Sequence, residues 1–363
     1  MPHLNITDSL QSVPRPFDPE AVIRGRESWL AAAGDAELQG GGDATDLAKT
    51  LAADSVTGAL LDTLFGNSPY LSGLVLRDPG FVCDLMIRGP DETFADILSR
   101  IAEKPKETLN DAEISRFLRI SKRRVALTLA CADIGGIWPL ERITRGLSDF
   151  ADAALDLAAG HVLRQAADQG VLELADAAAP LVDSGFIVIA MGKLGAHELN
   201  YSSDIDLIVL YDTDRVKTSQ PDRLQNGFVR LTRNLIRLMD ERTAQGYVFR
   251  TDLRLRPDPG ATPLALSVLA AETYYESLGQ NWERAAMIKA RAAAGDKDAG
   301  GAFLKHLVPF VWRKNLDFAA IQDIHSIKRQ INAHRGGMAI GTLGHNIKLG
   351  RGGIREIEFF AQT

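Results

Sequence analysis

The sequence predicts an α+β protein, mainly helical, built around a small mixed sheet. Three observations carry this reading. Residues 21 to 170 are rich in Ala and Leu, with apolar residues at helical spacing. The runs Gly185-Phe-Ile-Val-Ile-Ala190 and Ile205-Asp-Leu-Ile-Val-Leu-Tyr211 are short and β-branched, and read as buried strands. After Thr262 helical spacing returns.

Taken in order, residues 1–20 hold four prolines and no sustained periodicity, and predict a flexible arm. Residues 21–170 form the expected helical domain, with helices over segments such as Asp46 to Leu64, Ile114 to Ala132 and Leu140 to Gln169. Gly40-Gly41-Gly42, Asn67-Ser68-Pro69 and Gly89-Pro90 punctuate it. Residues 171–262 hold the two strand runs, a helix from about Phe228 to Glu241 with apolar residues at 228, 231, 235 and 238, and a third strand from Tyr247 to Leu255. Residues 263–363 predict helices from Leu264 through Tyr275 and from Phe303 to Ala333. A glycine-rich stretch, Gly341 to Gly353, and the amphipathic Ile354–Thr363 follow. That last stretch carries no terminating glycine, which suggests a fragment of a longer protein.

Composition narrows the function classes. The chain has 363 residues, 45% hydrophobic and 24% charged, with a net charge of −6, ordinary for a folded protein and unlike one that coats nucleic acid. No apolar run approaches the ~18 residues of a membrane span, and no secretory pattern opens the chain, so the expectation is a cytoplasmic protein with neither nucleic-acid nor membrane partners. Cys83 and Cys131, the only two cysteines, lie in apolar helical stretches and read as reduced core residues.

The chemistry concentrates around Asp204 and Asp206. Two apart in a strand, they share one face, with Ile205 and Leu207 on the other. Paired carboxylates repel unless a cation neutralises them, and an oxygen-only ligand set favours Mg²⁺ or Mn²⁺. An isolated Asp-x-Asp is equally compatible with a solvated strand end, so context decides. Gly192-Lys-Leu-Gly195 follows one strand and leads into the next. Its glycines permit close approach of a phosphate, Lys193 adds a cation, and Ser202 or Ser203 can donate a hydrogen bond. In Asp252-Leu-Arg-Leu-Arg256 the residues Asp252, Arg254 and Arg256 alternate with leucines. On a neighbouring strand they would supply a third carboxylate for a two-metal site and two cations for phosphate; the alternative for the arginines is an exposed polar face. Arg284 in Trp282-Glu-Arg284 is open between reaching this site and a structural ion pair. His197, in the loop between the strands, reads as solvent-exposed, with a phosphate contact as the alternative. Glu356 and Glu358, two apart in a helix, do not share a face, so at most one serves a metal or substrate.

Four stretches together carry a family resemblance: Gly192–Val209, Asp252–Pro257, Trp282–Arg284 and Lys348–Phe359. They resemble the glutamine synthetase adenylyltransferase/adenylyl-removing enzyme family over most of residues 45 to 363. The resemblance implies a polymerase-β-like nucleotidyltransferase palm with Asp204, Asp206 and Asp252 as catalytic metal ligands for two Mg²⁺ or Mn²⁺ ions. Gly192, Lys193, Ser202, Ser203, Arg254, Arg256, Lys289, Arg291, Lys348, Glu356 and Glu358 are the candidates for phosphate or nucleotide binding. That family carries two such units. The position of the motif after Met1 resembles the N-terminal, adenylyl-removing one, which implies phosphorolysis of an adenylyl-tyrosine in glutamine synthetase by orthophosphate to give ADP. Adenylyl transfer from ATP to the same tyrosine, or a non-catalytic regulatory module, are the alternatives. The implied partners are adenylylated glutamine synthetase and, in the full-length enzyme, a PII signalling protein.

Overall fold

The structure, a computed structural model, describes residues 5–38, 44–103, 109–312, 343–348 and 350–362. They fall into two compact units. The first comprises residues 1–158 with 197–203 and 237–250; the second comprises 159–196, 204–236 and 251–363.

The first unit is helical: α1 (Asn5–Ser9), α2 (Pro19–Leu38), α3 (Ala44–Ala53), α4 (Thr57–Asn67), α5 (Pro69–Arg77), α6 (Pro79–Glu103), α7 (Asp111–Ile134) and the first part of α8 (Leu140–Asp168). The N-terminal residues are not the loose arm expected. Ile6 of α1 is fully buried, and the Pro14 carbonyl accepts from the Thr63 hydroxyl at 2.5 Å. The helix expected over Asp46–Leu64 is two helices, because the Asp54 carboxylate accepts from the backbone N–H of Val56 (3.0 Å) and Thr57 (2.8 Å) and starts α4 afresh. These donors, with that of Thr57 foremost, hold the Asp54 carboxyl below the ordinary range. Ser68 caps α5 by accepting from Leu71 N–H at 3.2 Å, Gly89 (φ 78°) kinks α6 ahead of Pro90, and Asn110 with Glu113 forms the capping box that opens α7.

One buried cation ties α7 to residues 237–250. Arg119 is fully buried, its guanidinium donating to the carbonyls of Gly246 (2.9 Å), Leu238 (3.1 Å), Ser115 (3.0 Å) and Glu241. One fork-shaped donor serves all four carbonyls, and its bond to Leu238 lies in the interior, where water cannot take its place. Cys83 and Cys131 are free and buried, as expected.

The second unit holds the sheet. β1 (Phe186–Ala190) pairs antiparallel with β2 (Ile205–Tyr211), running Phe186↔Tyr211 to Ala190↔Leu207, and with β5 (Arg291–Gly295) on its other side. The outer edge of β2 takes two short parallel strands, β3 (Thr251–Asp252) and β4 (Ala265–Ser267). All five residues of β1 are buried, the pattern of a strand covered on both faces. On one face Ile187, Ile189, Ile208 and Leu210 pack with Tyr275, Phe303 and Phe310. On the other, Phe228 stacks on Tyr211 with ring centroids 4.7 Å apart and on Phe186 at 5.9 Å. Phe228 lies on α10 (Leu224–Asp240), the helix expected from Phe228 to Glu241.

Between β1 and β2 sits a single helical turn, α9 (Gly192–Gly195). Beyond β4 come α11 (Val268–Ser277), α12 (Asn281–Met287), α13 (Lys297–His306), α14 (Val308–Val311) and α15 (Ile354–Gln362). The helix expected from Leu264 starts later, because Ala265–Ser267 is taken into the sheet and Ser267 caps α11 by accepting from Ala270 N–H at 3.2 Å. The helix expected over 303–333 is described only to 312, where it is already divided between α13 and α14; its remainder, and the start of the glycine-rich stretch from Gly341, lie outside the described residues.

Candidate active site

The sheet register assembles the site. β2 and β3 run parallel with Ile205 opposite Thr251 and Asp206 opposite Asp252. Asp204 immediately precedes β2. The carboxylates of Asp206 and Asp252 therefore leave the sheet side by side, and Asp204 shares the face of Asp206 by the strand's two-residue period. Burial pushes the Asp206 carboxyl up to about 6, Asp252 and then Asp204 add repulsion, and Arg254 and Lys348 oppose it. Asp252 shifts the other way. The Arg254 guanidinium, with Nε 2.9 Å from its Oδ2, holds its carboxyl below the ordinary range.

The approach to Asp206 is kept open by backbone geometry. Gly192 has φ +55°, and a Cβ there would lie 3.0 Å from Asp206 Oδ2. Met191 N–H donates to the Asp206 carbonyl at 2.9 Å, fixing this turn beside the carboxylate. Gly195 has a different reason for being glycine. A Cβ on it would meet the Lys289 carbonyl oxygen at 1.9 Å, because the end of α9 lies directly on the chain leading into β5. Arg291 at the start of β5 braces the same turn, donating to the carbonyls of Gly195 (3.3 Å) and Leu194 (3.1 Å).

Several residues expected to bind phosphate stand elsewhere. The strand expected from Tyr247 to Leu255 is ordered as β-structure only at Thr251 and Asp252, so Asp252, Arg254 and Arg256 do not share a strand face. The reason is local. Asp252 Oδ1 accepts from Arg254 N–H at 2.8 Å, which turns the chain out of the sheet. Arg256 then points inward and donates to the carbonyls of Leu253 (2.9 Å), Pro259 (2.8 Å) and Pro263 (3.1 Å), holding the loop to β4 rather than a phosphate. Arg254 remains exposed at the carboxylates.

Lys289 Nζ pairs with Glu358 at 3.1 Å, and Glu356 accepts from Gly352 N–H at the start of its own helix. Lys193 and Lys348 are exposed. Ser202 and Ser203 group with the first unit, where the Ser202 carbonyl accepts from Arg250 and Ser203 N–H donates to the Asn200 carbonyl at 3.2 Å. Arg284 is buried, with Nη1 3.3 Å from the Val311 carbonyl, a structural placement rather than a reach to the carboxylates. His197, expected in solvent, has a side chain only 24% exposed, with Nδ1 3.8 Å from Asp149.

A divalent cation fits part of this donor set. Among the described residues no group of three or more His, Cys, Asp or Glu side chains stands ready as a ligand cluster, and Arg254 engages the Asp252 carboxylate. Asp204 and Asp206 are oxygen donors on one strand face, and burial, with the repulsion of Asp252 and Asp204 added, disfavours the charged form of Asp206 in a way that a bound cation would offset. Arg254 is exposed, so its release of Asp252 displaces no packed side chain.

Sequence comparison places this arrangement. The sequence model of glutamate-ammonia ligase adenylyltransferase matches residues 58–306, about two-thirds of the chain and all of the sheet. The chain belongs to the glutamate-ammonia ligase adenylyltransferase family. It is thus a member of a nucleotidyltransferase family. Three relatives, each named bifunctional glutamine synthetase adenylyltransferase/adenylyl-removing enzyme, show its extent. That of Rhizobium meliloti is 52% identical over 87% of this chain and 33% of its own length. That of Agrobacterium fabrum is 52% identical over 87% and 32%. That of Bradyrhizobium sp. strain ORS 278 is 46% identical over 95% and 34%. The chain therefore spans about a third of the length of the curated relatives it matches. A second model, for PII-uridylyltransferase, matches residues 325–363. No helix among the described residues is long and apolar enough to cross a membrane.

Proposed function

We propose that this chain removes AMP from an adenylylated tyrosine of glutamine synthetase by phosphorolysis. The observation that carries this reading is the register that sets Asp206 beside Asp252, with Asp204 just ahead of the same strand and Arg254 and Lys348 close enough to act on the Asp206 charge. A site of clustered carboxylates bordered by exposed cations suits a reaction in which two phosphate anions must be brought together.

An oxygen of orthophosphate forms a bond to the adenylyl phosphorus while the bond from that phosphorus to the tyrosyl oxygen breaks. The products are ADP and the free tyrosine, whose oxygen regains a proton. The nucleophile is already ionised and the leaving phenol has a pKa of about 10, so neither a strong base nor a strong acid is required. Arg254, Lys348 and Lys193 are the cations assigned to the two phosphates. Asp204, Asp206 and Asp252 would hold two Mg²⁺ or Mn²⁺ ions, which when bound supply the charge that neutralises the developing transition state. The Gly192 turn keeps the face of Asp206 clear for substrate.

The same residues serve the reverse transfer from ATP, and the relatives' printed name contains both activities. Labelled orthophosphate with adenylylated glutamine synthetase separates them: labelled ADP is expected. AMP incorporation from labelled ATP into unmodified glutamine synthetase, without ADP release in the first assay, would assign the transferase direction. Failure of both with metal present would leave a regulatory module. For the longer protein we propose a cytoplasmic location and a PII signalling protein as regulatory partner, in keeping with the match at residues 325–363.

A further inference from the structure

A cavity lies wholly within the first unit; Ser202 and Ser203 line it, but none of the aspartates or cations assigned to the proposed reaction does. It has a volume of about 490 Å³, within the range of small-molecule sites. Its walls are mainly apolar, from Leu71, Leu74 and Ala126 to Ile134, yet three cations also line it: Arg77, Lys122 and Arg123. Tyr70 and Tyr247 add two phenol rings.

The cations lack acidic partners. Among the described residues no carboxylate lies within ion-pair distance of Arg77, Lys122 or Arg123; the neighbouring Asp78 is bound to Arg124 at 2.8 Å. Lys122 Nζ rests 4.0 Å from the centroid of the Phe249 ring, so its positive charge is held by an aromatic face instead of an anion. Burial lowers its proton affinity to about 7, and the repulsion of Arg77 adds to burial in lowering that of Arg123. The single acid on the wall, Asp133, accepts from Tyr201 Oη at 2.9 Å. Arg77, Arg123 and a Lys122 only part-protonated near pH 7 outweigh this acid, so the apolar, ring-lined space carries net positive charge. A bound dianion with an apolar body would offset it, and phosphomonoesters are dianionic near neutral pH.

We infer that this cavity is a binding site for an aromatic phosphate, its planar ring between Tyr70 and Tyr247 and its phosphate on Arg77, Lys122 and Arg123. Ring stacking contributes to affinity and charge-assisted bonds orient the phosphate. The ligand chemistry has two sources, a free nucleotide or a phosphorylated aryl group, which different probes separate.

The test is calorimetric titration of the whole chain in EDTA, which isolates the cavity from any metal-dependent binding at the aspartates. The probes are AMP, phenyl phosphate, adenosine and ribose 5-phosphate. One site per chain is expected for AMP or phenyl phosphate, at least ~10-fold tighter than for the ring-less or phosphate-less probe. AMP alone assigns the nucleotide, and phenyl phosphate alone the phosphoaryl group. Arg77→Gln, an exposed position, and Lys122→Met should each weaken binding at least ~10-fold, while Asp206→Ala leaves it unchanged. Binding of neither aromatic phosphate, equal binding of ribose 5-phosphate, or unaltered binding by Arg77→Gln would each overturn the assignment. Because no metal or glutamine synthetase is present, these results leave the proposed reaction standing or falling by its own assay.

Discussion

Two glycines three residues apart make opposite demands on the same turn, and replacing each by alanine separates folding from site geometry. At Gly195 the added methyl would sit 1.9 Å from the Lys289 carbonyl oxygen and 2.7 Å from that of Ala190. Real Cβ atoms essentially never come within 3.0 Å of such a group, so one backbone segment must move by at least about 1.1 Å. Both obstacles are backbone, in or beside the buried strands β1 and β5, so no side chain can yield instead. Overpacking of this kind costs about 3 kcal/mol or more. At ~2–4 °C per kcal/mol for a unit of this size, Gly195→Ala should lower the melting temperature by roughly 6–12 °C. At Gly192 the penalty is the left-handed backbone, about 1–2 kcal/mol, and the only close neighbour is the carboxylate tip of Asp206 at 3.0 Å. Gly192→Ala should therefore melt only a few degrees low yet displace Asp206. Thermal unfolding followed by circular dichroism reads both variants. A Gly195→Ala protein melting within ~1 °C of wild type would refute the close-packed turn.

Arg119→Met, which keeps the volume but removes the donors, takes the guanidinium from the buried Leu238 carbonyl and from three part-buried ones and should cost about 2–3 kcal/mol in urea unfolding; a loss below ~1 kcal/mol would show that water replaces the guanidinium. Asp206 is raised from 3.8 to about 6 in the folded protein, so its contribution to stability is full below pH 3.8 and is lost as pH rises through 6. In EDTA, Asp206→Asn should accordingly be more stable than wild type at pH 7, by about 1–2 kcal/mol after discounting for partial exposure, with the advantage gone near pH 4. An unchanged or inverted difference would contradict the crowded-carboxylate account. Burial pushes the Cys83 and Cys131 thiols up to about 12, so a thiol reagent at pH 8 should label neither in native protein and both in urea; native labelling would place one at the surface.

Much of the fold was legible because its signals are local. The β-branched runs gave β1 and β2, and the strand period put Asp204 and Asp206 on one face. The errors arose where a side chain competes with the backbone ladder. Asp252 binds the N–H of Arg254 and ends β3 after two residues, which no alternation of polar and apolar residues could reveal. Asp54 splits a continuous helical pattern by capping a new helix. Arg256 looks like a phosphate ligand in sequence, yet its donors fill carbonyls brought near only by the loop it closes. The cation-lined cavity had no sequence signal, since Lys122 and Arg123 lie inside the helix expected over Ile114 to Ala132 and only the fold places Phe249, more than a hundred residues away, against Lys122.

The central claim is that Asp204, Asp206 and Asp252 form one cation-binding site for nucleotidyl transfer. Manganese binding followed by water-proton relaxation tests it without a substrate protein. Wild type is expected to bind Mn²⁺, and Asp206→Asn to lose at least ~10-fold in affinity while remaining folded. Equal Mn²⁺ binding by wild type and Asp206→Asn, or none by wild type, would contradict it.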